Sequence, residues 1–220
     1  GDVYKRQFQK RSISFITLFF ISSIISADDV LNNIEKHKQK FEIVANEIWD
    51  YAEVGYQELK SANLLINALQ SEGFEIKTNL AGIPTAFIAE FNNGGPIIGI
   101  LGEFDALPGL AQTQSPFKEV INNSTGAGHA CGHHLFGAAS AWAAVAIKEW
   151  IIKNNIEGTI RFYGTPAEEG GSGKVYMVRE GLFNLSLIHI SEPTRLVMIS
   201  YDVFCLKKKW GGGGGGGGGG

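Results

Sequence analysis

The chain has 220 residues, 44% of them hydrophobic, with 19 lysines and arginines against 22 aspartates and glutamates and a formal net charge of -3. That length is enough for one domain core and not for two large ones. Outside the two ends set aside below, an acidic balance without basic clusters argues against nucleic acid as a partner.

The two ends read differently from the middle. Asp2–Gln7 (DVYKRQ) back-translates onto the mosaic end of a transposase library adapter, and Leu185–Arg195 (LSLIHISEPTR) onto the body of the same adapter. Ile199–Leu206 matches its continuation with one substitution, at Asp202. Lys207–Lys209, Trp210 and Gly211–Gly220 read in codons as a run of A followed by a run of G. The rival reading is a flexible glycine-rich tail on a natural protein. On the adapter reading, residues 1–7 and 185–220 are excluded from fold reasoning. That removes six basic and three acidic residues and takes the net charge from -3 to -6. It also removes Cys205 and leaves Cys131 alone, so no internal disulfide is available.

Lys10-Arg11, an apolar run from Ile13 to Ile25 and then Ser26-Ala27-Asp28-Asp29 give the layout of a secretory signal peptide over residues 8–27. Secretion or periplasmic export follows. A retained membrane anchor is the alternative, although the run is short for a span. From Asp28 to about Ala52 the spacing of Leu31, Ile34, Phe41, Val44, Ile48 and Trp49 predicts an amphipathic helix. His37 is expected on its solvent face. Ser61–Ser71 continues as a helix with Leu64, Leu65, Ala68 and Leu69 inward, closed by Gly73.

Three strand-like runs follow, Phe74–Thr78, Thr85–Phe91 and Ile97–Leu101, the last two joined by a turn at Asn93-Gly94-Gly95. Leu135–Ile152 is alanine-rich and apolar, a buried helix. Thr159–Tyr163 is a strand and Ser172–Glu180 a helix. Alternating helices and strands predict an α/β layered domain.

Three segments carry chemistry. Gly102–Gly109 (GEFDALPG) follows the strand ending at Leu101. Gly128–His134 (GHACGHH) precedes the buried helix. Thr165–Gly171 (TPAEEGG) follows the strand ending at Tyr163. Strand ends are where α/β sheets hold their sites. One thiol, three imidazoles and two glycines within seven residues suit zinc, which favours sulfur and nitrogen donors. Adjacent glutamates point different ways, so one can bind metal while the other takes a proton. Taken alone, the histidine cluster favours metal over mere packing at a helix start, whereas Glu168-Glu169 alone reads as a solvated acidic loop.

Together GEFDALPG, GHACGHHLFG and TPAEEGGSGK resemble the zinc amidohydrolase and metallopeptidase family of aminobenzoyl-glutamate hydrolases, hippurate hydrolases, auxin-conjugate hydrolases and aminoacylases. The GEFDALPG form and the following LFG lean toward the aminobenzoyl-glutamate hydrolase branch. The resemblance runs from about residue 36 to Asn184. It implies an α/β fold, a three-layer zinc-exopeptidase-like catalytic domain with a mixed central sheet. Residues 28–184 would be its N-terminal half, with the inserted lid and dimerisation domain absent.

It further implies Cys131, His133 and Glu169 as metal ligands, Glu168 as general base and Asp105 as the carboxylate that orients a ligand. Glu103 stands where many relatives have histidine, and His134 where they have asparagine or aspartate. His129 is expected to support rather than coordinate. The cofactor implied is a pair of divalent ions, zinc first, manganese or cobalt as substitutes. The substrate implied is a small N-acyl amino acid, and the full-length parent is expected as a homodimer or heteromer. Two further histidine ligands of the family lie beyond Asn184, so the chain as written is expected to lack hydrolase activity. A metal-storage or carrier protein using the Cys-His cluster, or a non-catalytic binding relative, are the alternatives.

Overall fold

A sheet buried on both faces must be covered on both, and the runs Ile83–Phe91, Ile97–Gly102 and Thr159–Gly164 are mostly buried on both. The computed structural model describes residues 30–121 and 125–184, together with the backbone of Ile188–Ile190. Residues 1–7, the signal peptide expected at 8–27 and the rest of 185–220 lie outside the described residues. The elements are α1 (residues 30–51), α2 (Leu59–Gln70), β1 (Glu75–Leu80), β2 (Ile83–Phe91), β3 (Ile97–Gly102), β4 (Leu107–Pro108), β5 (Ala127–Gly128), α3 (His133–Lys153), β6 (Thr159–Gly164), α4 (Gly173–Arg179) and β7 (Ile188–Ile190).

The main sheet has the order β1-β2-β6-β3-β7. β1 and β2 are antiparallel, as are β2 and β6, whereas β6 and β7 both run parallel to β3. The sheet is therefore mixed, as the family resemblance implied. Side-chain alternation along each strand divides the core in two. Phe87, Ala89, Ile100, Ile160 and Phe162 face a cluster completed by Phe41 and Ile48 of α1, Leu65 and Leu69 of α2 and Ala141 and Val145 of α3. Ala86, Ile88, Leu101 and Tyr163 face the opposite way, onto Met177 of α4 and Phe183. Helix, sheet and helix form three layers.

The predicted elements fall where the spacing put them, with two corrections on α1. Leu31 is 58% exposed at the amino end of the helix. His37, expected in solvent, is only 8% exposed. Its Nε2 lies 2.8 Å from Glu149 Oε1 on α3 and its Nδ1 3.6 Å from Glu72 Oε1. Lys36 and Lys40 join the same two carboxylates, so an interhelical ion cluster buries a residue that helical periodicity alone places outside.

Of residues 185–220, set aside from fold reasoning on the adapter reading, Ile188, His189 and Ile190 nonetheless pair in parallel with Ile98, Gly99 and Ile100. Such pairing uses backbone groups only, and without it β3 would present an unpaired edge.

Topology decides where the chemical segments meet. β3 and β6 are parallel neighbours with Gly102 opposite Gly164, and α3 connects them by returning across the sheet. The segments after β3, before α3 and after β6 are thereby brought to one end of the sheet. Close approach of α3 to β3 depends on Gly137, where an added Cβ would stand 2.6 Å from the backbone oxygen of Glu103. Gly137→Ala is expected to force α3 off the strand end and to cost about 1–3 kcal/mol, read as a lowered midpoint in chemical denaturation. An unchanged midpoint would refute that packing argument.

Candidate functional site

Just past the end of β3, the chain places Asp105, with 1% exposure, and Glu103, with 2%, beneath the first turn of α3. α3 opens on Gly132 in a left-handed conformation (φ +79°), which turns the next residue, His133, toward both carboxylates. His133 Nδ1 is 3.0 Å from Asp105 Oδ1, and its Nε2 is 3.0 Å from Glu103 Oε2. Lys174, in the first turn of α4 and also buried, donates from Nζ to Glu103 Oε1.

The glutamate pair arrives on the loop after β6. Thr165 anchors that loop through its N–H and its hydroxyl, which both donate to Gly102 O, at 2.9 and 3.1 Å. Glu169 N–H donates to Asp105 Oδ2 at 2.8 Å. Glu168 Oε2 and Glu169 Oε1 each lie 3.9 Å from His133 Nε2. The structure thus brings Asp105, His133, Glu168 and Glu169 together.

Glu103, His133 and Glu168 each offer a ligand atom within 4.8 Å of the others. Donors about 2.0–2.2 Å from one ion stand at such mutual separations, so this set fits a divalent metal. Cys131 is exposed on the turn two residues before His133 and is outside that trio. The sequence assigns Glu103 no role, since only its partners reveal one. Lys174, in the GGSGK stretch, escapes sequence reasoning for the same reason.

The charges are strongly coupled. Burial works against a proton on His133, but hydrogen bonds to Asp105 and Glu103 outweigh it and raise its pKa to about 10. Burial pushes the Glu103 and Asp105 carboxyls up, and the His133 contacts, with Lys174 on Glu103 and the Glu169 amide on Asp105, bring both below the usual range. Glu168 moves the other way. Burial and the neighbouring Glu103 raise it, with Lys174 opposing.

Two other histidines flank the turn. His129 Nε2 is 3.0 Å from the Ile48 carbonyl of α1, a supporting contact of the kind expected. His134 meets Trp49 edge-on at 4.9 Å, and burial, with His129 and His133 nearby, lowers its pKa to about 4.

The model of peptidase family M20/M25/M40 matches residues 99–204. The chain is 46% identical over 151 residues to a p-aminobenzoyl-glutamate hydrolase component of Escherichia coli (strain K12), covering 69% of this chain and 31% of that protein. It is 30% identical over 144 residues to the hippurate hydrolase of Campylobacter jejuni, covering 66% and 36%. Its fold matches a dinuclear metal-binding peptidase of the M20 family from Bacillus subtilis with a TM-score of 0.56 at 26% identity, covering 73% of this chain and 44% of that one. The chain spans about a third of the length of the curated relatives it matches.

In metal-free protein the His133 proton stabilises the fold, because its folded pKa of about 10 lies above the ordinary 6.5. The proton-linked part of the stability lost in His133→Ala is expected in full below pH 6.5 and to fall away as pH rises through about 10, leaving only the pH-independent packing loss. Denaturation of both proteins across that range measures it. A difference that grows with pH would contradict the clamp.

Proposed function

Because this chain belongs to peptidase family M20/M25/M40, we propose that the whole protein is a metal-dependent amidohydrolase cleaving N-acyl amino acids, aminobenzoyl-glutamate-like amides among them. The observation that carries this reading is the assembly of buried Glu103, Asp105 and His133 with half-buried Glu168 and the Glu169 backbone at one sheet end.

His133 and Glu169 are the proposed ligands, joined by Cys131 turning in from its exposed position and by Glu103 beside His133 Nε2. Glu168, the third member of the compact trio, is kept free as the base. Zinc is the first choice, manganese or cobalt substitutes, with a pair of ions per site. The bound metal would polarise the amide carbonyl and acidify a water. Asp105 fixes the ring of His133 by holding Nδ1, which leaves Nε2 directed at the carboxylates. Glu168 takes the proton of the attacking water at a carboxylate oxygen and delivers it to the leaving amine. Its raised pKa moves it toward working pH, as suits a group that must both accept and return a proton. A carrier protein needs no such base, and the placement of Glu168 beside His133 favours the hydrolase over that alternative. Export by a cleaved signal peptide, and assembly as a homodimer or heteromer, complete the proposal.

The test is the whole protein loaded with zinc and assayed on aminobenzoyl-glutamate and several N-acyl amino acids. Glu168→Gln is expected to lower kcat on the order of 10²- to 10⁴-fold while metal content stays that of the wild type. Equal metal content with no hydrolysis in either protein would favour the carrier reading.

A further inference from the structure

Glu58 is fully buried at the start of α2, far in sequence from any of the three chemical segments. Its Oε1 accepts the Ala167 N–H at 2.8 Å and its Oε2 accepts the Thr85 hydroxyl at 3.0 Å. Ala167 immediately precedes the glutamate pair and has φ +54°, a left-handed conformation that a residue with a Cβ adopts at a cost. The chain beside it is tight: a Cβ on Gly55 would stand 3.1 Å from Ala167, and one on Gly171 2.6 Å from the Ala167 Cβ.

A buried carboxylate is expensive unless its oxygens are bonded. Both oxygens of Glu58 are used, and one of them secures the strained residue that aims Glu168 and Glu169. We propose that Glu58 is a positioning residue for the Glu168-Glu169 pair, acting through the backbone of Ala167 and touching neither substrate nor metal. The loop then has three anchors in series, Thr165 on Gly102, Ala167 on Glu58 and Glu169 on Asp105. Only the middle one comes from outside the β3–β6 pair. It ties the α2 end of the domain to the alignment of the proposed base. The catalytic part of the inference rests on the hydrolase reading, and the geometric part does not.

Glu58→Met keeps the side chain's length and removes both acceptors. Glu58→Gln retains one acceptor for the Ala167 N–H and can donate to the Thr85 hydroxyl. Adding Ala167→Gly to Glu58→Met removes the cost of the left-handed conformation, since glycine adopts it freely.

Two measurements on the whole protein separate the possibilities. The first is amide hydrogen exchange at Glu169, whose own bond goes to Asp105. Glu58→Met is expected to speed it by about tenfold or more, with Glu58→Gln near wild type and the added Ala167→Gly restoring part of the protection. The second is steady-state hydrolysis. Glu58→Met is expected to lower kcat on the order of 10- to 100-fold, leave KM nearly unchanged, and recover in the same order across the variants.

Exchange at Glu169 that stays at the wild-type rate overturns the proposal. So does exchange that rises uniformly over the domain, or a loss that Ala167→Gly does not relieve. Absence of hydrolysis in the wild type would defeat the hydrolase reading, while the exchange result would still decide whether Glu58 holds the loop.

Discussion

Asp105 holds one ring nitrogen of His133 and Glu103 lies against the other, and the site is arranged around that clamp. Four carboxyl groups, Glu103, Asp105, Glu168 and Glu169, gather around two cationic side chains, His133 and Lys174. Burying carboxylates at this density is unfavourable unless positive charge or hydrogen bonds compensate. The imidazolium supplies part of that charge, which is why its proton is held to about pH 10. Lys174 supplies the rest at Glu103, and Glu168, least well compensated, is the carboxyl pushed upward.

The scaffold makes the clamp possible. β3 sits between β6 and β7, and its parallel partner β6 delivers the glutamate loop beside the Glu103–Asp105 segment. α3 must start directly over that strand end if His133 is to reach both carboxylates. The missing side chain at Gly137 permits it, and so does the left-handed turn at Gly132. On the other edge α2 is capped from outside, by the Glu53 carboxylate accepting from the Lys60 and Ser61 amides at 3.1 and 2.9 Å. That cap orients the turn bearing Glu58, so the helix start and the glutamate loop are fixed by a single stretch of chain.

Much of this is legible in the residues themselves. Periodicity locates the helices and strands because each element packs on one or two apolar faces, and those faces repeat at 3.6 or 2 residues. Asp105, His133, Glu168 and Glu169 stand out because dense polar motifs follow strand ends. What stays hidden depends on pairing across the sequence. Glu103 gains its place from Lys174, 71 residues away, and Glu58 from Ala167, 109 residues away. No local pattern distinguishes such residues from solvated acids. His37 is misplaced by periodicity for the same reason, since its partners lie outside its own helix. Cys131 shows the reverse case. Its motif is conspicuous, yet its side chain is exposed and outside the compact trio.

An excess of buried negative charge lowers stability, and its retention calls for a compensating use. A divalent cation is the ligand such an excess suits. It would bring two positive charges to a place where one proton on His133 and one lysine now serve. Metal uptake by His133 requires loss of that proton, since a ligating imidazole is neutral at the coordinating nitrogen. On the proposed metal-binding reading the carboxylates that raise the imidazole's basicity would act twice, holding its proton when no metal competes and attracting the ion that would take its place. Thr165, Glu58 and Asp105 anchor the backbone of the glutamate loop at three points before any ion is present. The energetic cost of order is met in folding rather than at the moment of binding, which is the condition for a preorganised site.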